Sequence, residues 1–166
     1  MEPMRLTDLI NPAVLQKIQD SFAAATRLHV LTRDAAGQEV TEHAHPTPLC
    51  DLIDCRELRE TFGRPISAAA ARDWTPSPDH PIGIVNFAEP IEFGDASFGS
   101  IEMIALIGRG PPSAAFLANL AQRLDMDRDE LHRLVAESTA TSPEEIDAAR
   151  DLLRSIASVL SDLCRA

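Results

Sequence analysis

One apolar stretch, Ile101–Ile107, constrains the fold of this chain more than any other feature. A short run that is apolar at nearly every position is typical of a strand buried on both faces. The segment Phe87–Phe93 is also strand-like, and the turn residues Gly94–Ser97 connect the two. We therefore expect a β-hairpin, with Phe98–Ile107 as its second strand, that forms the floor of the domain.

Glu102 interrupts this apolar strand. A carboxylate in such a position must reach water at a sheet edge, pair with a cation or face a polar cavity. The usual exposure of glutamate favours an edge or solvent-facing carboxylate, and a position facing a pocket is the main alternative.

Length, composition and charge indicate one cytoplasmic domain. At 166 residues and 45% hydrophobic, the chain can bury a single core. Its net charge of −11 argues against direct binding to nucleic acid or to an anionic membrane, because both need a basic patch. No apolar run approaches the ~20 residues that cross a bilayer, and the N-terminus does not look like a signal peptide. Its three cysteines, Cys50, Cys55 and Cys164, form no CxxC motif and should remain thiols.

Local patterns predict several further elements. Asn11 and Pro12 are suited to begin a helix whose apolar residues recur on one side. The alternation of Leu28–Thr32 indicates a strand. A turn after it would reverse the chain, and Gln38–Thr41 would form the second strand of a hairpin. His29 should face outward from this hairpin. Helices are also expected over Leu49–Phe62, Ser113–Leu124 and Asp129–Glu137.

The C-terminal helix is expected to begin at Ser142 and Pro143 and to run to Cys164. Its apolar residues recur three and four apart, which is the spacing of a coiled-coil seam. Leu152 and Val159 widen this stripe, so that one side would pack on the domain while the other meets a second copy. Core packing alone would also explain the pattern. The seam residues are Ile146, Ala149, Leu153, Ile156, Leu160 and Leu163.

The segment Ile66–Pro81 is the least regular part of the chain, since it is interrupted by prolines. It contains Trp74, the only tryptophan. This side chain either anchors the loop to the core or folds over the mouth of a cavity.

Five segments, in matching order and spacing, are shared with a known family. They are Leu6–Phe22 (LTDLINPAVLQKIQDSF), the hairpin Leu28–Thr41, Gly83–Ile91 (GIVNFAEPI), Phe98–Ile101 (FGSI) and Ser142–Leu163. The chain in this respect resembles the sensory, ligand-binding domain family named after PocR. That family is a PAS-like input module of bacterial transcription regulators, kinases and chemoreceptors.

The resemblance implies an α+β fold with a PAS-like central antiparallel sheet flanked by helices and a long C-terminal helix. It implies a sensory domain over residues 1–140 and a signalling or dimerisation helix over residues 141–166. A small molecule would bind between sheet and helices, and some members of the family respond to diols. The ligand-binding residues expected here are Cys50, Phe62, Trp74, His80, Phe87, Ile101 and Met103.

Many members carry three cysteines, one before the first helix after the hairpin, one at the end of that helix and one three residues before the glycine that here is Gly83. Cys50 matches the first, the second is missing near Gly63, and His80 occupies the position of the third. A thiolate with an imidazole suits zinc or another borderline metal, and His43 and His45 could complete such a site. Haem, which needs only one or two axial ligands, is a further alternative.

The sequence therefore supports three classes of function. The first is a sensor that binds a small-molecule effector, forms a homodimer and acts through a fused output domain or a protein partner. The second is a dimerisation or interaction module without a ligand. An enzyme is the least favoured, because the chain has no glycine-rich phosphate loop, HExxH or GxSxG motif and no tyrosine.

Overall fold

The computed structural model describes residues 4–44, 48, 49, 52, 66–78 and 80–164. Most of the helix expected over Leu49–Phe62 lies outside these residues, as do the predicted site residues Cys50 and Phe62. Across the described chain, no helix is long and apolar enough to cross a membrane.

The fold is α+β, as expected. Its strands are β1 (His29–Asp34), β2 (Ile82–Phe93) and β3 (Ala96–Gly108). Its helices are α1 (Leu6–Leu9), α2 (Pro12–Thr26), α3 (Ala68–Ala71), α4 (Ala114–Leu124), α5 (Arg128–Ser138) and α6 (Pro143–Leu163). The short α3 lies inside the segment that the sequence left irregular.

The three strands form one sheet in the order β1-β3-β2, so β3 is central. The expected hairpin of β2 and β3 is confirmed, and β2 begins five residues earlier than predicted. Strand β1 pairs antiparallel with β3 from His29 opposite Ile104 to Asp34 opposite Gly99. The predicted return strand after β1 is wrong in extent: residues 39–44 form no regular strand, although they bridge to β1 at Glu39 and Ala44 and the Val40 amide donates to the Thr32 carbonyl.

The predicted helix starts have the expected capping bonds. The side chain of Asn11 accepts a hydrogen bond from the Ala13 amide, and Pro12 is the first residue of α2. At the start of α6, Ser142 Oγ accepts from the Glu145 amide while the Glu145 carboxylate accepts from the Ser142 amide. This reciprocal pair is a capping box, which explains why the sequence located the helix start correctly.

The described chain divides into two compact units, and β2, β3 and α6 each contribute residues to both. The first unit consists of Met1–His45, Phe87–Ile104 and Asp147–Ala166. Its core joins α1, α2, the hairpin and the end of α6 in one apolar cluster. The members of this cluster are Leu6, Ile10, Leu15, Ile91, Phe98, Leu160 and Cys164.

The second unit consists of Pro46–Asn86 and Ala105–Ile146. Within it, Ile66 bridges to Val85 of β2 in parallel, and the Leu49 amide donates to Ser138 Oγ of α5. Apolar residues of α4 and α5 are buried in this unit. They are Leu117, Leu120, Leu131 and Val135.

Helix α6 carries two apolar stripes rather than one. Most of the predicted seam, including Leu153 and Leu160, is buried within the chain. Ile156 is only partly buried, and Leu163 is exposed together with Leu152 and Val159. The stripe left at the surface is therefore Leu152, Ile156, Val159 and Leu163, whose spacing is again that of a coiled-coil seam.

A glycine in β3 permits the close approach of β1. A Cβ added at Gly99 would lie 2.2 Å from the carbonyl oxygen of Arg33 on β1. We expect Gly99→Ala to lower the free energy of unfolding by about 2–3 kcal/mol in urea titrations, because the two strands must separate. Gly94→Ala, at a turn with φ of 61° and open space around it, should cost only about 1 kcal/mol. Equal losses in the two variants would contradict this explanation.

Candidate functional site

The two faces of the β1–β3 ladder differ in chemistry. Residues directly opposite each other in an antiparallel pair share a face. Val30 lies opposite Met103, and Thr32 lies opposite Ile101. The other face carries His29, Arg33 and Glu102, together with Leu31, Ser100 and Ile104. Polar side chains therefore gather on one side of the central strand.

Glu102 is stabilised on this polar face by a cation. Its Oε2 lies 3.3 Å from Nε of Arg33, and its Oε1 accepts a hydrogen bond of 3.3 Å from the Ser100 hydroxyl. Its side chain is 19% exposed, and β3 is not an edge strand. The expectation of an edge carboxylate is wrong, and the alternative of pairing with a cation is confirmed.

Arg33 extends the network to the segment 39–44. Its Nη2 atom lies 3.3 Å from Glu39 Oε1, and its Nη1 atom donates a hydrogen bond to the Gly37 carbonyl oxygen. Glu39 Oε2 is in turn 3.3 Å from Nε2 of His43. All these groups belong to the first unit.

His29 is the last member of this network, and its ring is buried inside the protein. Its Nε2 lies 2.7 Å from Nδ1 of His43, and the two rings are 4.8 Å apart at their centroids. The residue is 1% exposed, so the predicted outward orientation is wrong. Burial, and then the neighbouring His43, lower the pKa of His29 to about 4 against an opposing effect of Glu39. His29 is therefore neutral at neutral pH.

A second polar network, which the sequence analysis missed, lies on the opposite face. Gln19 of α2 is fully buried, and its Oε1 accepts from the hydroxyls of Thr32 and Thr41 at 2.9 and 2.5 Å. Its Nε2 donates to the Glu42 carbonyl at 2.6 Å. A polar residue on the apolar side of an amphipathic helix was the signal that could have located it.

An open groove of about 290 Å³ borders the polar face. Arg33, Ser100 and Glu102 line it together with Ala88 and Pro90 of β2. The groove offers a guanidinium, a hydroxyl and a carboxylate to a small polar molecule. These three groups also bond to one another.

The predicted ligand residues of the first unit lie in different surroundings. Ile101 and Met103 are fully buried. They lie on the face of the sheet that also carries Thr32, and the Thr32 hydroxyl donates a hydrogen bond to Gln19 of α2. Phe87 is half-buried on β2. Their participation in a ligand site stays a prediction.

The described ligand candidates of the second unit are Trp74 and His80. The Trp74 ring packs against Gly83, where an added Cβ would lie 2.9 Å from its Cε2 atom. This contact anchors the loop to β2, which is one of the two roles expected from the sequence. His80 is exposed in a turn where its amide donates to Ser77.

A metal site at Cys50 and His80 stays a prediction, because Cys50 and His45 lie outside the described residues. Within the described ranges, no group of three or more histidine, cysteine, aspartate or glutamate side chains could hold a metal ion. His43, the other suggested ligand, bonds to His29 and pairs with Glu39.

Comparison with known proteins identifies the class. A family model described as "Sensory domain found in PocR" matches residues 8–165, which is nearly the whole chain. The protein is thus a sensory domain of α+β fold. It belongs to the PocR sensory domain family, as the five shared segments indicated. No curated protein and no solved structure matches the chain.

The pair Arg33–Glu102 should contribute measurably to stability because both partners are half-buried. In a double-mutant cycle of Arg33→Gln and Glu102→Gln, we expect a coupling of about 0.5–1 kcal/mol in urea unfolding. The exposed pair Arg133–Glu137 on α5 is the control, with an expected coupling of ~0.3–0.5 kcal/mol that disappears at high salt. A weaker coupling at Arg33–Glu102 than at the control pair would contradict this ranking.

Proposed function

We propose that this domain binds a small-molecule effector and transmits its presence through α6. The family match over residues 8–165 carries the proposal, because it assigns the chain to sensory domains. The effector class that the family resemblance suggests is a small diol or a related organic molecule. The proposed site contains Phe87, and the other predicted ligand residues remain candidates for it.

The contacts of β2 with α6 support the proposed signal path. Glu89 pairs with Arg154 at 3.4 Å, and the Glu92 amide donates to Ser161 Oγ at 2.9 Å. Between them, Ile91 shares the apolar core cluster with Leu160. Phe87 precedes these residues on the same strand, so a ligand that displaces β2 would act directly on α6.

An effector can shift α6 only if it binds one arrangement of the helix more tightly than another. The β2–α6 contacts provide two kinds of restraint. The apolar contact is packed and resists small displacements, whereas the hydrogen bond and the ion pair are exposed, so that water can replace either partner at lower cost. A displacement of α6 along or about its axis is therefore the change that we propose.

A second copy of the chain is the proposed partner of the exposed α6 stripe. Leu152 and Ile156 line one open groove of about 840 Å³ with Val14, Ile18 and Phe22 of α2. Ile156 and Val159 line a second groove beside it, together with Ile18, Ser155 and Leu160. Val159 is 57% exposed. Such a continuous apolar face is typical of an interaction surface, and a seam along one helix can pair with itself about a two-fold axis.

In this proposal the domain is a cytoplasmic input module of a bacterial signalling protein, such as a transcription regulator. Its output would come from a fused domain or from a separate protein partner. A role without catalysis agrees with the sensory family. The competing proposal is an interaction module that no longer binds a ligand, and the following experiment separates the two.

Phe87→Ala should weaken effector binding. We expect ethane-1,2-diol or propane-1,2-diol to bind the unmutated domain in isothermal titration calorimetry, and the variant to bind about tenfold more weakly. The reason is that burying an aromatic side chain contributes on the order of 1.5–3 kcal/mol. Phe93→Ala, which truncates an exposed phenylalanine at the end of the same strand, is the matched control and should bind normally. Absence of diol binding, together with a native mass spectrum at the bare chain mass, would favour the module without a ligand.

Leu152→Glu and Val159→Glu should each convert a dimer into a monomer. Burying a carboxylate in the paired stripe would cost more free energy than the apolar contacts of the dimer interface provide. Multi-angle light scattering at micromolar concentration measures the mass. Ser158→Glu adds the same charge on another side of α6 and should leave the dimer intact. Leu160→Glu is unsuitable, because Leu160 is 1% exposed in the core cluster. A monomeric unmutated protein would overturn the proposed dimer.

A further inference from the structure

The guanidinium of Arg33 divides one of its edges between two carboxylates. Its Nε atom lies 3.3 Å from Glu102 Oε2, and its Nη2 atom lies 3.3 Å from Glu39 Oε1. A single carboxylate that binds this edge through both oxygens makes two parallel hydrogen bonds, usually of about 2.7–2.9 Å. Neither glutamate does so, because each contacts only one of the two nitrogens. Arg33 is therefore charge-compensated without its strongest bonding geometry.

Glu102 is also bound through long single contacts. Besides its contact with Arg33, its Oε1 accepts from the Ser100 hydroxyl at 3.3 Å. Its side chain and that of Arg33 are 19% and 30% exposed, so solvent reaches both. Ion pairs of this kind contribute little free energy. A ligand that offers shorter bonds to the same atoms can therefore displace one partner from the other.

The groove of about 290 Å³ beside this pair has room for a compact ligand. Asp34 is the third charged residue that lines it, but its Oδ1 already accepts from the Ala36 and Gln38 amides of the turn. Arg33 and Glu102 are thus the charged groups that a ligand in the groove can engage. Small or compact residues form the other walls: Ala35, Gly37, Ala88, Pro90 and Gly99.

The ion pair determines which ligand charges fit this groove. An anion that takes Arg33 displaces Glu102, which then has no cation while its side chain is mostly buried. An isolated cation that takes Glu102 deprives Arg33 of one of its two carboxylates. Half-buried charges that lose their partner are costly. Displacement of Glu39 costs less, because its side chain is 46% exposed and water can solvate it.

We propose that this groove binds a small zwitterion of the α-amino acid class, which inserts between Arg33 and Glu102. The carboxylate of the ligand binds Nε and Nη2 of Arg33 together. Its ammonium group donates to the Glu102 carboxylate that the insertion has released. Each protein charge then exchanges one partner for another of the same sign, so neither remains unpaired. The small walls of the groove favour a short ligand side chain, as in glycine or alanine.

The position of the groove connects such a ligand to the proposed signal path. Ala88 and Pro90, which line the groove, flank Glu89 on β2. Glu89 is the residue that pairs with Arg154 of α6. Under the proposed function, on which this step alone rests, an amino acid in the groove would act on α6 as a second input. Binding of the zwitterion does not depend on that step.

An NMR titration of the ¹⁵N-labelled domain with glycine tests the site. We expect saturable shifts of the Gly37, Gly99 and Ser100 amides, with a Kd on the order of 1 mM because the groove is open to solvent. Acetate and methylammonium each carry one half of the glycine molecule. Each should bind about tenfold or more weakly than glycine, because joining the two charged groups makes the second contact intramolecular. Comparison of these three ligands needs no mutation.

Two substitutions test the assigned contacts. Arg33→Lys keeps the positive charge but cannot offer two nitrogens to one carboxylate, and it should weaken glycine binding about tenfold. Glu102→Gln removes the charge that binds the ammonium and should have a similar effect. Glu137→Gln, which removes an exposed partner of Arg133 on α5, is the matched control and should bind glycine normally. Amide resonances away from the groove verify that each variant is folded.

Several results would overturn the proposal. They are the absence of saturable shifts in the unmutated domain, binding of acetate or methylammonium as tightly as glycine, and unchanged glycine affinity in both Arg33→Lys and Glu102→Gln. Loss of glycine binding in Phe87→Ala would also do so, because it would place the zwitterion in the proposed effector site. The diol titration is a separate measurement, so a failure of diol binding leaves the glycine result intact, and the reverse holds as well.

Discussion

The side chain of Gln19 lies inside the first unit, where each of its polar atoms must find a partner in the protein. Both atoms do so, and the partners come from β1 and from residues 41 and 42. One amide thus positions α2 over the sheet and orders the chain that follows β1. Because a buried amide is costly if left unpaired, separating any one of these three elements from the others would be destabilising.

The two sides of α2 therefore contact different parts of the structure. Its inner side carries Gln19 and Leu15 into the core. Its outer side presents Val14, Lys17 and Ile18 to the groove that α6 borders. Helix α2 therefore contacts both the buried polar network and the groove beside the exposed stripe of α6.

Strand β3 separates two chemical environments. On the side of Met103 the sheet is covered and apolar apart from the Gln19 network, while on the side of Glu102 it carries a chain of charges that ends at His29. Helix α6 contributes Leu160 to the apolar core cluster and leaves a second stripe at the surface. A sensory domain needs a core that rearranges when a ligand binds. It also needs a surface on which a partner can detect that rearrangement.

Much of this fold was predictable from local patterns, because those patterns reflect local forces. The capping residues Asn11 and Ser142, the hairpin of β2 and β3 and the double stripe of α6 depend on neighbours along the chain or on simple periodicity. The family resemblance, now supported by the match over residues 8–165, added the class of function. Cys50 and Phe62 remain predictions from that resemblance.

The polar networks depended on tertiary structure. Local alternation placed His29 at the surface, yet its ring is buried because residues 39–44 return over β1 and bring His43 to it. Glu102 was recognised as an anomaly, but which of its three possible surroundings it adopts was decided by Arg33, a residue 69 positions away in sequence. Sequence by itself determined the starts of α2 and α6 and the hairpin of β2 and β3, because backbone capping and hydrophobic periodicity act over a few residues. Only the tertiary structure decided which polar groups meet, since partners for buried hydrogen bonds and charges come from any part of the chain that folding brings close.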